Sequence, residues 1–226
     1  MNYLLVWDID GTLIQSRGVG RRALDKAFLD LYGIENGFEK VDMAGRLDSL
    51  IIRDAFALHG LAVNDYNALL DLYFKYLREE IAKINMPLAA PGIAQLLPLL
   101  ESQGCYYNVL GTGNIERGAR IKLENDDLNK YFPTGGFGDS PLERWQIIEK
   151  AIINAYELFG IHFEKENTYV IGDTPRDMEC GKKLGIKAIG TATGPYSVAQ
   201  LLDSGADFAL ESLIDPDAFQ KIFHRV

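Results

Sequence analysis

The sequence predicts an α/β fold: a parallel sheet covered by helices on both faces, with an all-helical insertion. Three observations carry this. Four short runs are apolar at nearly every position, a pattern suited to parallel strands buried on both faces. Helical stripes separate the last three runs, and such alternation implies right-handed crossovers. Residues 16–86 break the alternation, with three helical patterns and no convincing strand.

The first run, Tyr3–Trp7, leads straight into Asp8 and Asp10. In the insertion, one stripe carries Ala23, Leu24, Ala27, Phe28 and Leu31, and a second carries Leu50, Ile51, Ala55 and Leu58. A third starts near Asp65, an expected N-cap, and carries Leu69, Leu72, Tyr73, Tyr76 and Leu77. Pro87 and Pro91-Gly92 mark the return. The expected division is a core of 1–15 and 87–226 with a helical domain of 16–86.

Tyr106–Leu110 is the second expected strand, Thr168–Ile171 the third and Ile186–Ile189 the fourth. Between them, Arg144 to Phe159 puts Ile147, Ile148, Ala151, Ile152, Ala155 and Phe159 on one stripe, with Gly160 to end it. Arg176 to Leu184 is a shorter helix stopped by Gly185.

With 226 residues, 47% of them hydrophobic, the chain can bury a large core. Its net charge of -9 argues against nucleic acid or an anionic membrane surface as partner. No apolar run approaches the ~20 residues of a membrane span, and the N-terminus lacks signal-peptide features. Cys105 and Cys180 make no disulfide framework, so the cytoplasm is the expected compartment and both read as small buried hydrophobes. His59, His162 and His224 have no metal-ligand spacing.

In open parallel sheets, ligands bind at the carboxyl ends of strands. The polar residues of this chain fall there: Asp8-Ile9-Asp10, then Gly111-Thr112-Gly113-Asn114, then Gly172-Asp173-Thr174-Pro175-Arg176-Asp177. Asp8 and Asp10, at i and i+2, share a face, and Gly11 lets the chain turn at once. Four clustered aspartates repel one another, and a hard divalent cation such as Mg²⁺ is the remedy. Thr112 with the N–H groups of Gly113 and Asn114 forms an anion cradle. Each motif alone reads as a turn or a helix cap. All three in order, each ending an apolar run, suggest phosphoryl transfer.

Asp8-Ile9-Asp10-Gly11-Thr12-Leu13, Thr112 and Gly172-Asp173-Thr174-Pro175-Arg176-Asp177 resemble the ordered motifs of the haloacid dehalogenase-like hydrolase superfamily. The segments "APGIAQLLPLLESQGCYYNVLGTGN" and "KLENDDLNKYF" are similar too, and the insertion resembles the cap of the phosphoglycolate phosphatase-like branch. The resemblance implies a Rossmann-like core with a helical cap. It implies Asp8 as nucleophile and Asp10 as general acid and base. Mg²⁺ would be held by Asp8, the Asp10 carbonyl and Asp173, with Asp177 supporting. Thr112 and the Gly113 N–H would bind phosphoryl oxygens.

One departure stands out. The family's usual lysine between the second and last motifs is missing, because no lysine occurs between Lys130 and Lys150. Arg144, at a helix start, is the expected substitute in preference to Lys150. Arg46, in "MAGRLDSLI", is a candidate contact for an anionic substrate. The leading expectation is a phosphatase acting on a small phosphorylated metabolite. A phosphomutase of the β-phosphoglucomutase-like type and a catalytically idle regulatory protein are the alternatives.

Overall fold

The computed structural model describes residues 1–62, 65–140 and 142–223, so His224 lies outside the described residues. Six parallel strands form one sheet: β1 (Tyr3–Trp7), β2 (Tyr106–Gly111), β3 (Gly135–Gly136), β4 (Thr168–Gly172), β5 (Lys187–Thr191) and β6 (Phe208–Leu210). Their spatial order is β3-β2-β1-β4-β5-β6. The chain therefore winds outward both ways from β1, and the crevice at the carboxyl end of β1 is the switch point.

All of β1 is buried, as its unbroken apolar run predicts. Leu4 and Val6 pack with Ile148, Ala151 and Met178 on one face of the sheet. Tyr3, Leu5 and Trp7 face the other, where Trp7 stacks on Phe219. Register decides where the site falls. Trp7 pairs with Leu110 of β2 and with Ile171 of β4, so the three motif-bearing ends finish side by side.

Three helices, α1 (Val19–Tyr32), α2 (Asp48–Leu58) and α3 (Tyr66–Ala82), lie between β1 and α4 (Ile93–Ser102). The stripes of α1 and α3 face inward as expected. In α2, by contrast, Leu58 is exposed and Leu50 only half-buried, and Ile52 and Phe56 join Ile51 and Ala55 on the inward face. Glu80 of α3, buried, joins Arg22 and Lys26 of α1 and its own neighbour Lys83. Asp65 does occupy the N-cap position of α3, but its side chain makes no capping bond there. Then follow α5 (Glu116–Glu124), α6 (Arg144–Phe159), α7 (Pro175–Leu184), α8 (Val198–Asp203) and α9 (Pro216–Gln220). No described helix is long and apolar enough to cross a membrane. Cys180 is buried, whereas Cys105 is only half-buried, a correction to its expected place in the core.

The short strands β3 and β6 and the helices α4, α5, α8 and α9 were not expected. β3 consists of two glycines, which have poor strand propensity. Packing explains them: a Cβ on Gly136 would stand 2.0 Å from the carbonyl oxygen of Ile147 in α6. That contact seats α6, and with it Arg144 at its first turn. Gly136→Ala should lower stability by about 1–3 kcal/mol through overpacking. A thermal melt checks this; an unchanged melting temperature would show that α6 does not need the close approach.

Candidate active site

The first turn after β1 sets the geometry. Asp8 continues the strand, its N–H donating to the Ile171 carbonyl, and its side chain is buried. Gly11 then takes φ +86°, and a Cβ there would collide with the Asp173 carboxylate at 2.2 Å. Glycine is thus required both for the turn and for the approach of the two acidic ends.

After β4 the segment from Gly172 to Asp177 divides its labour. Thr174 caps α7 in a reciprocal box: the Asp177 carboxylate accepts from the Thr174 N–H (3.2 Å) and hydroxyl (2.7 Å). Pro175 opens the helix, where a missing N–H costs nothing. Asp173 stays out of the cap. Single oxygens of Asp8, Asp173 and Asp177 lie within 4.8 Å of one another, all three residues buried.

Arg144 is brought to this cluster and Lys150 is not; Lys150 is exposed on α6. One terminal nitrogen of Arg144 pairs with Asp8 Oδ1 at 2.8 Å and with Asp177 Oδ1 at 2.7 Å, and its side chain is 9% exposed. Asp177 therefore has both oxygens engaged, by Arg144 and by Thr174. Asp8 and Asp173 remain under-compensated. Burial, with the neighbouring Asp177 and Asp10 charges, pushes the Asp8 carboxyl up to about 6 against the pull of Arg144. Burial, then the charges of Asp8 and Asp177, pushes Asp173 up to about 8. Such a donor set fits a hard divalent cation.

Asp10 lines the same cavity but belongs to a second network. Lys122 Nζ donates to its Oδ2 at 2.6 Å, and Asn114 Nδ2 donates to the same oxygen at 2.7 Å. Burial raises this carboxyl, but the Lys122 and Asn114 contacts prevail and hold it below its ordinary range. Asn114 differs from its expected role. Its N–H is taken by Thr112 Oγ1 (3.3 Å), so its side chain, not its backbone, organises the loop. Since Asn114 Nδ2 also donates to Thr112 Oγ1 (2.9 Å), the threonine keeps its own proton for a ligand oxygen. The other terminal nitrogen of Arg144 lies beside Gly113 at this cradle.

The helical insertion closes over these groups around a cavity of about 370 Å³. Leu24, Met43, Ile51 and Tyr73 line its cap side. Asp48 ties the cap down: its N–H donates to the Gly113 carbonyl (2.7 Å) and its carboxylate accepts from the Ile115 N–H (3.0 Å). Burial lifts that carboxyl to about 6. Arg46 borders the cavity, but its guanidinium is engaged by Asp54 and by the Asp42 carbonyl, so the structure does not bring it to the Asp8 cluster. Sequence reasoning missed Lys122 entirely. The available signal was a lysine within the apolar stripe of α5, among Ala119, Ile121 and Leu123.

Residues 5–191 match the model of the haloacid dehalogenase-like hydrolase family. The chain is 27% identical over 204 residues to a probable phosphatase IndB of Dickeya dadantii, covering 89% of this chain and 86% of that protein. It is 26% identical over 213 residues to a phosphoglycolate phosphatase of Aquifex aeolicus, covering 92% and 91%. A crystal structure of a hydrolase from Pseudomonas syringae superposes with a TM-score of 0.70 at 21% identity, covering 98% of this chain and 99% of that one.

The raised carboxyls set a sign for stability. Asp8 and Asp48 move from 3.8 to about 6 and Asp173 to about 8, so the folded metal-free protein binds more protons than the unfolded chain across this range. Stability should fall as pH rises from 5 to 8 in chelator, and Mg²⁺ should reverse the fall by binding the deprotonated carboxylates. Melting curves across that range, with chelator or with Mg²⁺, decide. A melting temperature that rises with pH in chelator would contradict the assignment.

Proposed function

The chain belongs to the haloacid dehalogenase-like hydrolase family and is a phosphoric monoester hydrolase of its phosphoglycolate phosphatase-like branch; on that premise, we propose that it cleaves a small phosphomonoester through an aspartyl-phosphate on Asp8. The observation that carries this reading is the Arg144 bridge. It holds a buried carboxylate, Asp8, beside the Thr112–Gly113 cradle and within one cavity with Asp10.

In the first step an Asp8 oxygen attacks phosphorus and the ester P–O bond breaks. Arg144 keeps Asp8 from rotating and meets the charge gathering on the phosphoryl oxygens, a task for which its fork of donors suits it. The Thr112 hydroxyl and Gly113 N–H hold the same group. Asp10 gives its proton to the departing oxygen. The bound phosphate dianion favours the protonated form of Asp10, opposing the effect of Lys122. In the second step Asp10 takes a proton from water, the water attacks phosphorus, and phosphate leaves with Asp8 restored.

Asp8, the Asp10 backbone carbonyl and Asp173 would hold Mg²⁺, with Asp177 supporting them through Arg144 and Thr174. When bound, the cation supplies charge neutralisation for the carboxylates and the phosphoryl oxygens. The cavity volume favours a small substrate, and residues 16–86 serve as the cap that excludes bulk water.

Phosphate release from a panel of phosphorylated metabolites, with Mg²⁺ and with chelator, tests the reaction. Free phosphate that depends on the metal supports a phosphatase. An isomeric phosphate ester as product would make the protein a mutase, and no turnover above background would make it a binding protein. Arg144→Ala should lower the rate by roughly 10²-fold or more, the scale of one lost transition-state donor. Lys150→Ala should leave it unchanged. Kinetics on the two variants check this, and the opposite ranking would remove Arg144 from the mechanism.

A further inference from the structure

Lys122 is a buried ammonium in the cavity wall to which the steps above give no task. Its side chain is only 5% exposed. A buried lysine is costly unless its partners are fixed, and here they are fixed by the site itself. Nζ donates to Asp10 Oδ2 and to Asn114 Oδ1, while Asn114 Nδ2 donates to Asp10 Oδ2 and to Thr112 Oγ1. The result is a closed set of hydrogen bonds joining Asp10 to the phosphoryl cradle. Both donors reach Asp10 through Oδ2, so the carboxyl is held by one oxygen and Oδ1 is bound to neither. The cap seals the ammonium in place: a Cβ on Gly20 of α1 would stand 3.7 Å from Nζ and 3.8 Å from the Tyr73 hydroxyl of α3.

We propose that Lys122 is a positioning residue: by gripping Oδ2 together with Asn114, it aims the Asp10 carboxyl at the oxygen of the leaving group. This rests on the reading of Asp10 as the acid that protonates that oxygen. Lys122 is neither the phosphoryl-binding cation, which is Arg144, nor a general support for the fold. Its removal should therefore harm only those reactions that need Asp10's proton. Misplacement of a catalytic group by about 1 Å costs on the order of 10²-fold.

The test is a double-mutant cycle with Lys122→Met and Asp10→Asn. It is read as single-turnover phosphorylation of Asp8 with enzyme in excess and Mg²⁺ present. Two esters are compared: a simple alkyl phosphate, whose alkoxide needs a proton to leave, and p-nitrophenyl phosphate, whose phenolate does not. Lys122→Met should slow the alkyl ester by roughly 10²-fold and p-nitrophenyl phosphate by less than about tenfold. Half-saturating concentrations should stay unchanged.

In the Asp10→Asn background, Lys122→Met should add no more than about a twofold loss, because the two residues act as one. That double variant carries no unpaired buried charge. Asp10→Asn alone keeps the Lys122 ammonium with only amide oxygens as partners, so melting curves of both variants accompany the rates. Equal losses for both esters, a change confined to half-saturation, or losses that multiply across the cycle would each overturn the proposal. Should Asp10→Asn itself slow the two esters equally, the assignment of Asp10 as acid fails, and the role of Lys122 falls with it. Ester discrimination by Asp10→Asn with multiplying losses would instead remove Lys122 alone.

Discussion

Carboxylate repulsion at the ends of β1 and β4 is the constraint on which the site depends. Asp8, Asp173 and Asp177 crowd together out of water, where like charges raise one another's proton affinity. The fold answers fully for Asp177 alone and only in part for Asp8. Arg144 bridges Asp8 and Asp177, and the Thr174 capping box takes the remaining oxygen of Asp177. Among the described residues, the side-chain hydrogen bond that Asp173 accepts is the long contact from Thr12. The residual negative potential is the structural basis for a cation, and in the metal-free protein its cost shows as the raised Asp8 and Asp173 carboxyls.

Much of this was legible because the relevant signals are local. The apolar runs before Asp8, Thr112 and Asp173 fixed which strands are central, and parallel register then required their ends to coincide. The choice of Arg144 over Lys150 was also local, since the first turn of a helix beginning at Arg144 faces the sheet end while Lys150 lies more than a turn away. Two glycines hid β3, because its reason for existing is the Ile147 carbonyl of another element. Helices α8 and α9 are short, and a short stripe carries little periodicity.

What was not legible at the site has a different cause. Asn114 and Arg46 were placed by residue type and position and Lys122 was not read at all, whereas what each does is set by its side-chain partners. These are Asp10, 104 residues from Asn114 and 112 from Lys122, and Asp54, only 8 residues from Arg46. Arg46 has a carboxylate within its own helical domain, and Asn114 spends its N–H on Thr112. Lys122 sits in an apolar stripe where a solvated surface lysine would be expected only at the edge. Its counter-charge, Asp10, is 112 residues distant in sequence. Two cations thus partition four aspartates into a bound pair around Arg144 and an aimed carboxyl beside Lys122, leaving Asp173 for metal.

The central claim is that Asp8 is the phosphoryl acceptor of a site completed by a divalent cation. Beryllofluoride, a phosphoryl mimic that adds to carboxylates, tests it most directly when followed by fluorine NMR. The account predicts bound resonances in the wild-type protein that need Mg²⁺ and vanish in Asp8→Asn. Bound resonances that persist in Asp8→Asn, or that form equally in chelator, would contradict it.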